Sequence, residues 1–128
     1  MDENRYAPAA QFRAELRRFL RRSEDAARIH RITPRQYLLL LQIAGAESGT
    51  TTVSELVTTL ALTQSAVTEL VQRAEAAGLV RREASKADGR VVHLSLTDDG
   101  LARLSAVHDE LGAERAQLRR VFDALDQG

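Results

Sequence analysis

Two groups of residues have types and spacing that could do chemistry. In TQSAVTELVQRAEAAG, the side chains of Gln64, Ser65, Thr68, Glu69, Gln72 and Arg73 share one face of a helix. Short polar side chains at the N-terminal end of such a helix are of the kind that enter a major groove and hydrogen-bond to base edges. In SKADGR, Lys86, Asp88 and Arg90 stand together at a turn, where a cation can meet a phosphate or an adjacent minor groove. Glu69 is the exception among them: it repels phosphates, yet it can accept from a cytosine amino group. The chemistry on offer is hydrogen bonding and charge pairing.

The elements that must position these groups follow from local signals. Phe12, Leu16, Phe19, Leu20, Ala26 and Ala27 recur at helical spacing, predicting a helix from about Ala9 to His30. ITPRQYLLLLQIAG restarts with Thr33 as N-cap, Pro34 at the first helical position and Gln36 completing a capping box. Its run Tyr37–Leu41 with Ile43 is apolar on nearly every side, which predicts the central buried helix. Thr50–Val53 is β-branched and short, suited to an added strand. Thr52 with Glu55 opens a helix carrying Leu56, Val57 and Leu60. Thr63 opens another carrying Val67, Leu70, Val71 and Ala74, closed by Gly78. Two helices joined by about three residues make a helix-turn-helix. Leu79–Ala84 and Val91–Leu96 then read as the strands of a hairpin, with Asp88-Gly89 expected at positive φ in a tight turn. Thr97 caps a final long helix, with Asp98 and Asp99 in its first turn. Its apolar residues are Leu101, Leu104, Val107, Leu111, Leu118, Phe122 and Leu125, interrupted by Gly112. Helical throughout, it would run ~40 Å at about 1.5 Å per residue. The fold class predicted is mainly α with a small β-hairpin wing.

Composition narrows the function classes. The chain has 128 residues, 44% hydrophobic, with no run long enough to span a bilayer, so one domain with a real core and no membrane partner is expected. The start lacks the basic flank and apolar stretch of a secretory signal, and there is no cysteine, which together point to the cytoplasm and exclude disulfides and thiolate metal sites. Eighteen cations balance eighteen anions, so any polyanion site must be a local patch. Lys86 is the sole lysine; arginine suits bidentate phosphate or guanine contacts. No nucleophile elbow, glycine-rich phosphate loop or metal-binding pair is present, so catalysis has no motif to stand on. His30, His93 and His108 lie far apart and read as ordinary imidazoles; neither a metal nor another cofactor is expected.

The ordered run TPRQ, VSELVTTLALTQSAVTELVQRAEAAGLVRR, the ADGR tip and LSLTDDG resembles the MarR-type winged helix-turn-helix regulators, over roughly Thr33 to Gly100. The resemblance implies a single domain with a winged helix-turn-helix core at residues 33–97 and helical dimerisation regions at 1–32 and 98–128. It implies a homodimeric repressor on palindromic duplex DNA, often released by a small-molecule effector. By position, Gln64, Ser65 and Thr68 look like groove readers and Arg73 like a backbone contact. Asp88, with Gly89, looks like the brace of a wing arginine, Arg90. Phe12, Leu16, Phe19, Leu111, Leu118, Phe122 and Leu125 fall where the family dimerises. The segment after Gly100 is several turns shorter than is usual there.

Plainer readings stand beside these. Asp88 can serve the turn alone. Arg81 and Arg82 beside Glu83 are a solvated strand end or a phosphate clamp. The run Arg13, Arg17, Arg18, Arg21 and Arg22 is a solvated helix face, or a surface for acidic partners or DNA flanks. Phe12, Phe19 and Tyr37 are core residues or the lining of an effector pocket. A winged helix that serves as a protein-interaction or antagonist module is the alternative to a DNA-binding regulator, favoured by the neutral charge, Glu69 and the short tail.

Overall fold

The computed structural model describes residues 4–127. The first helix, α1, spans Ala7–Ile29 and starts earlier than the periodicity suggested, because Pro8 in the first turn has no N–H that the helix needs. α2 spans Pro34–Gly45 behind the expected capping box: Thr33 Oγ1 accepts from Gln36 N at 3.0 Å, and Gln36 Oε1 accepts from Thr33 N at 2.9 Å. It buries Tyr37, Leu39, Leu40 and Ile43, but Leu38 is 48% exposed. The central helix is therefore buried along one side and not all round, since four leucines in a row must sweep past every side of a 3.6-residue turn.

α3, Val53–Leu60, and α4, Gln64–Ala76, each start on a threonine whose Oγ1 accepts a backbone N–H: Thr52 from Glu55 and Thr63 from Ala66. The turn between them passes through Ala61 at φ 55°, ψ 44°. A left-handed alanine is strained by its Cβ, whereas glycine is not. Ala61→Gly is expected to raise stability by about 0.5–1 kcal/mol, because relief of strain exceeds the added entropy of the unfolded chain. A urea midpoint that falls instead would show that Ala61 is not held left-handed in solution. Beyond α4, Gly78 takes φ +77° and reverses the chain into the sheet, as the C-terminal glycine should.

The strands β1, Val80–Ala84, and β2, Val92–Leu96, pair antiparallel with Val80 opposite Leu96 and Arg82 opposite Leu94. Thr50–Val53 does not form a strand of its own. Thr51 alone bridges to Leu94, through Thr51 N to Leu94 O at 3.1 Å and Leu94 N to Thr51 O at 2.7 Å, because Val53 already belongs to α3. The wing tip also differs from the expected tight reversal: neither Asp88 nor Gly89 has positive φ. Ser85 N donates to Val91 O at the base of the loop, and Val91 N donates to Asp88 O across a wider turn. With more residues in the loop, the strands need no mirror-image turn to match their twist.

Thr97 caps α5, Asp98–Glu110, accepting from Gly100 N at 3.0 Å while its own hydroxyl donates to Gly78 O at 2.6 Å. The final helix is not continuous. α6, Gly112–Asp123, begins after a break at Leu111 (φ −92°, ψ 9°), and a 3-10 turn at Ala124–Gln127 follows it. Gly112 stiffens the helix least of all residues, and Arg115 Nη1 donates to His108 O at 2.5 Å, taking up a carbonyl at the end of α5. α6 folds back along α1, with Phe12 and Phe122 ring centroids 5.9 Å apart. One core joins all of this: Leu39, Leu40 and Ile43 of α2 meet Leu56, Val67, Val71, Leu94, Leu104, Val107 and Leu111. Tyr37 lies in it, and burial pushes its hydroxyl above the ordinary tyrosine range, only partly countered by the Arg115 charge; the ring stays neutral at physiological pH.

Candidate nucleic-acid interface

α4 divides into two faces. Val67, Val71 and Ala74 are fully buried against the core, which leaves Gln64, Ser65, Glu69, Gln72 and Arg73 exposed and Thr68 at the boundary. A helix anchored so completely on one side presents the other side rigidly, which is what the reading of base edges requires.

The wing then closes one flank of that face. Gln64, Thr68 and Gln72 line a single groove together with Arg82 and Arg90 of the wing and Ser54 and Thr58 of α3. Ser65 and Glu69 sit on the outer side of α4, in a shallow depression shared with Gln64, Thr68 and Gln72. Arg73 lies at the C-terminal end of this surface, and Lys86 stands exposed at the wing tip. Four of the residues singled out from the sequence, Gln64, Thr68, Gln72 and Arg90, thus meet in one groove; the other four surround it.

Ser54 and Thr58 complete the groove without having been singled out, and Arg82 joins them. Ser54 and Thr58 are four residues apart, so their side chains share a face of α3, a signal the sequence does carry. Arg82, readable from the sequence as a solvated strand end or a phosphate clamp, lies opposite Leu94 and turns toward α4, where its Nε donates to Glu75 Oε1 at 3.1 Å.

Charge on this surface is arranged in pairs. Arg73 Nη2 is 2.7 Å from Glu69 Oε1 across one helical turn. At the wing, Asp88 Oδ1 accepts from Arg90 N at 3.0 Å and lies 3.5 Å from Arg90 Nε, while the rest of the guanidinium stays in water at 94% exposure. Ser85 Oγ accepts from Ala87 N and Asp88 N, which steadies the loop. Asp88 therefore both shapes the turn and holds the base of the Arg90 side chain. Gly89 is exposed, with no atom within 4 Å of where a Cβ would be and no positive φ, so neither packing nor backbone conformation demands a glycine there.

The residues expected at a dimer surface divide differently. Phe12, Phe19, Leu118 and Phe122 line an apolar groove between α1 and α6, with Phe122 54% exposed; Leu16 and Leu125 are half-buried. Leu111 is only 2% exposed, because it continues the buried stripe of Leu104 and Val107 at the C-terminal end of α5, and it belongs to the chain's own core. Arg13, Arg17 and Arg21 flank Leu16 and Leu20 on the outer side of α1. His30 meets Glu110 at 3.1 Å, and among the described residues no group of His, Asp and Glu could hold a metal ion. No helix among the described residues is long and apolar enough to cross a membrane.

Comparison with known proteins places this geometry. The model of the MarR family matches residues 31–91, from the turn before α2 to the end of the wing tip. No curated protein matches the chain. Among solved structures, AbsC, a MarR family transcriptional regulator from Streptomyces coelicolor, is 26% identical at a TM-score of 0.69, over 98% of this chain and 83% of that one. The YusO protein from Bacillus subtilis is 27% identical at a TM-score of 0.64, over 88% and 76%. A mutant of MarR from E. coli, complexed with operator DNA, shares the fold at 23% identity and a TM-score of 0.69, over 86% and 78%. The family match runs through the helix-turn-helix and the wing as far as Val91, and the fold match extends through the flanking helices: residues 31–91 match the MarR family, and the chain as a whole shares the winged-helix fold of its transcriptional regulators.

Proposed function

We propose that this protein is a sequence-specific regulator that binds duplex DNA as a homodimer and represses transcription from the promoter it occupies. The observation that carries the reading is the single groove in which Gln64, Thr68 and Gln72 face Arg90 across the width of the wing. In mechanism, α4 enters the major groove, Gln64, Ser65 and Thr68 read base edges, and Lys86 and Arg90 contact the backbone or adjacent minor groove. Arg73 reaches a phosphate at the far end. Residues 33–97 form the DNA-binding core; residues 1–32 and 98–128 form the dimerisation region. There the partly exposed apolar faces of α1, α6 and the turn after it, with Phe12, Leu16, Phe19, Leu118, Phe122 and Leu125, meet a second copy. Two lobes then address half-sites about one helical turn apart, ~34 Å on B-DNA. A small molecule that altered the angle between the lobes would favour a state mismatched to that spacing and release the operator. Such a regulator works in the cytoplasm, beside the DNA it controls, and needs no cofactor.

The test is binding to the duplex upstream of its own coding sequence, with a scrambled duplex as competitor, at two salt concentrations. Specific, salt-sensitive binding with dimer stoichiometry is expected. The neutral overall charge and the acid at Glu69 favour a second reading, a protein-interaction module. Binding to neither duplex at low salt, where attraction to phosphates is strongest, would favour that one instead. Two variants separate the roles within the groove. Arg90→Ala is expected to weaken binding to all sequences alike and to flatten the salt slope by about 0.9 for each phosphate left without its cation. Thr68→Ala is expected to change the preferred base at one position per half-site, about 1–3 kcal/mol in discrimination. Unchanged affinity in both would refute this assignment of the site.

A further inference from the structure

Three arginines on the α4–wing surface each carry their own carboxylate: Arg73 with Glu69 at 2.7 Å, Arg82 with Glu75 at 3.1 Å, and Arg90 with Asp88 at 3.5 Å. All six side chains reach solvent, from 40% exposed at Glu75 to 94% at Arg90, so the pairs add little to folding; their consequence is for what approaches from solvent. A polyanion without specific contacts is held through counterion release, in proportion to the phosphates that cations neutralise. An arginine closed on a carboxylate offers such a polyanion almost no net charge. The surface that should meet DNA is in this sense self-neutralised.

The pairs are not equivalent. Asp88 also shapes the wing turn through the Arg90 N–H, and Glu75 sits beyond the groove at the foot of the wing. Glu69 lies on the reading face itself, beside Gln64, Ser65, Thr68 and Gln72, and it is a pure acceptor. In a major groove the edges of guanine and thymine present acceptors to it, and adenine sets its donor beside the N7 acceptor. Only cytosine offers an amino donor with no acceptor adjacent.

On the DNA-binding reading above, we propose that Glu69 is a specificity-determining residue. On non-cognate sequence it stays paired with Arg73 and holds nonspecific affinity down. At the operator it accepts from a cytosine amino group, and Arg73 is released to a phosphate. Discrimination thus comes from both sides, a hydrogen bond formed on the right sequence and a repulsion kept on the wrong ones.

The experiment is fluorescence anisotropy of the full chain with the upstream duplex, its single-position base variants and a scrambled duplex, across a salt series. Glu69→Gln is expected to bind the scrambled duplex roughly tenfold tighter per protomer near 0.1 M salt, with a slope steeper by about 0.9 per protomer, as each freed Arg73 neutralises one more phosphate. It should also lose the preference for cytosine at one position per half-site. Glu69→Gln/Arg73→Ala, which restores the charge balance, should return the scrambled duplex to wild-type affinity, showing that the effect runs through Arg73. If wild-type protein binds its upstream duplex specifically while Glu69→Gln leaves the scrambled affinity and slope unchanged, this role for Glu69 is overturned and the DNA-binding reading stands. If wild type and Glu69→Gln both fail to bind any duplex at low salt, the DNA-binding reading falls, and this role with it.

Discussion

Gly100→Ala is expected to lower the melting temperature by about 10 °C, corresponding to a loss of about 3 kcal/mol in a domain of this size. A Cβ at position 100 would sit 2.1 Å from the Leu79 carbonyl oxygen, with the Leu79 carbonyl carbon at 3.0 Å. Both are backbone atoms, so no rotamer change relieves the clash. Nor can the strand end withdraw easily, since Thr97 N donates to that same Leu79 oxygen at 3.1 Å, and Thr97 Oγ1 donates to Gly78 O. The first turn of α5 would have to lift off the junction between α4 and β1. That junction ties the helix-turn-helix to the C-terminal helices, so the spacing of the two proposed half-site lobes should suffer with stability. Gly45→Ala is the matched control. No atom lies within 4 Å of its Cβ position and its φ is not positive, so its melting temperature should hold or rise. A Gly100→Ala protein as stable as Gly45→Ala would show that α5 does not rest on Leu79 in solution.

Leu94→Ala is expected to cost about 2–5 kcal/mol, within the range for emptying a leucine site in a packed core. Leu94 is fully buried at the middle of β2, opposite Arg82, and both of its backbone groups are bonded to Thr51. Its side chain is the one fully buried in β2, beside Val80 of β1; the neighbouring Val92 and Leu96 are only partly buried. Removing it leaves a cavity beneath the sheet and frees the wing to move relative to α4, so the groove that Arg90 shares with Gln64 and Thr68 loses its fixed width. Denaturant unfolding measures the first effect and hydrogen exchange at the β1 amides the second. A stability loss under about 1 kcal/mol, with unchanged exchange, would mean the wing is held by its backbone pairing alone.

The helical caps were fully legible in the sequence, because a cap is a contact across three residues. Thr33, Thr52, Thr63 and Thr97 each accept the N–H that their spacing predicted. The buried stripe Val67, Val71 and Ala74 was legible for the same reason, and with it the exposed face of α4. Contacts between distant segments were not. Asp88-Gly89 suggested a tight turn, yet loop length and the Ser85–Val91 bond selected a wider one without positive φ. The apolar pattern after Gly100 suggested one long helix, yet the break at Leu111–Gly112 lets α6 return along α1 and bring Phe12 to Phe122. Arg82 had no decided role until the register with Leu94 turned it toward Glu75.

By itself, then, the sequence determined the order of helices and strands from α1 to α5, the threonine caps that start α2, α3, α4 and α5, and which residues of α4 face outward. Each of these depends on contacts within a few residues of chain, where side-chain type and helical period leave little choice. Tertiary structure decided what lies beside what: Arg90 and Arg82 across the groove from Thr68, Leu111 drawn into the protomer core, and Gly100 pressed on the Leu79 carbonyl. Those contacts join residues far apart in the chain. They form only when the apolar faces of α2, α4, β2 and α5 are buried together, and burial is non-directional, so local patterning alone does not specify their geometry.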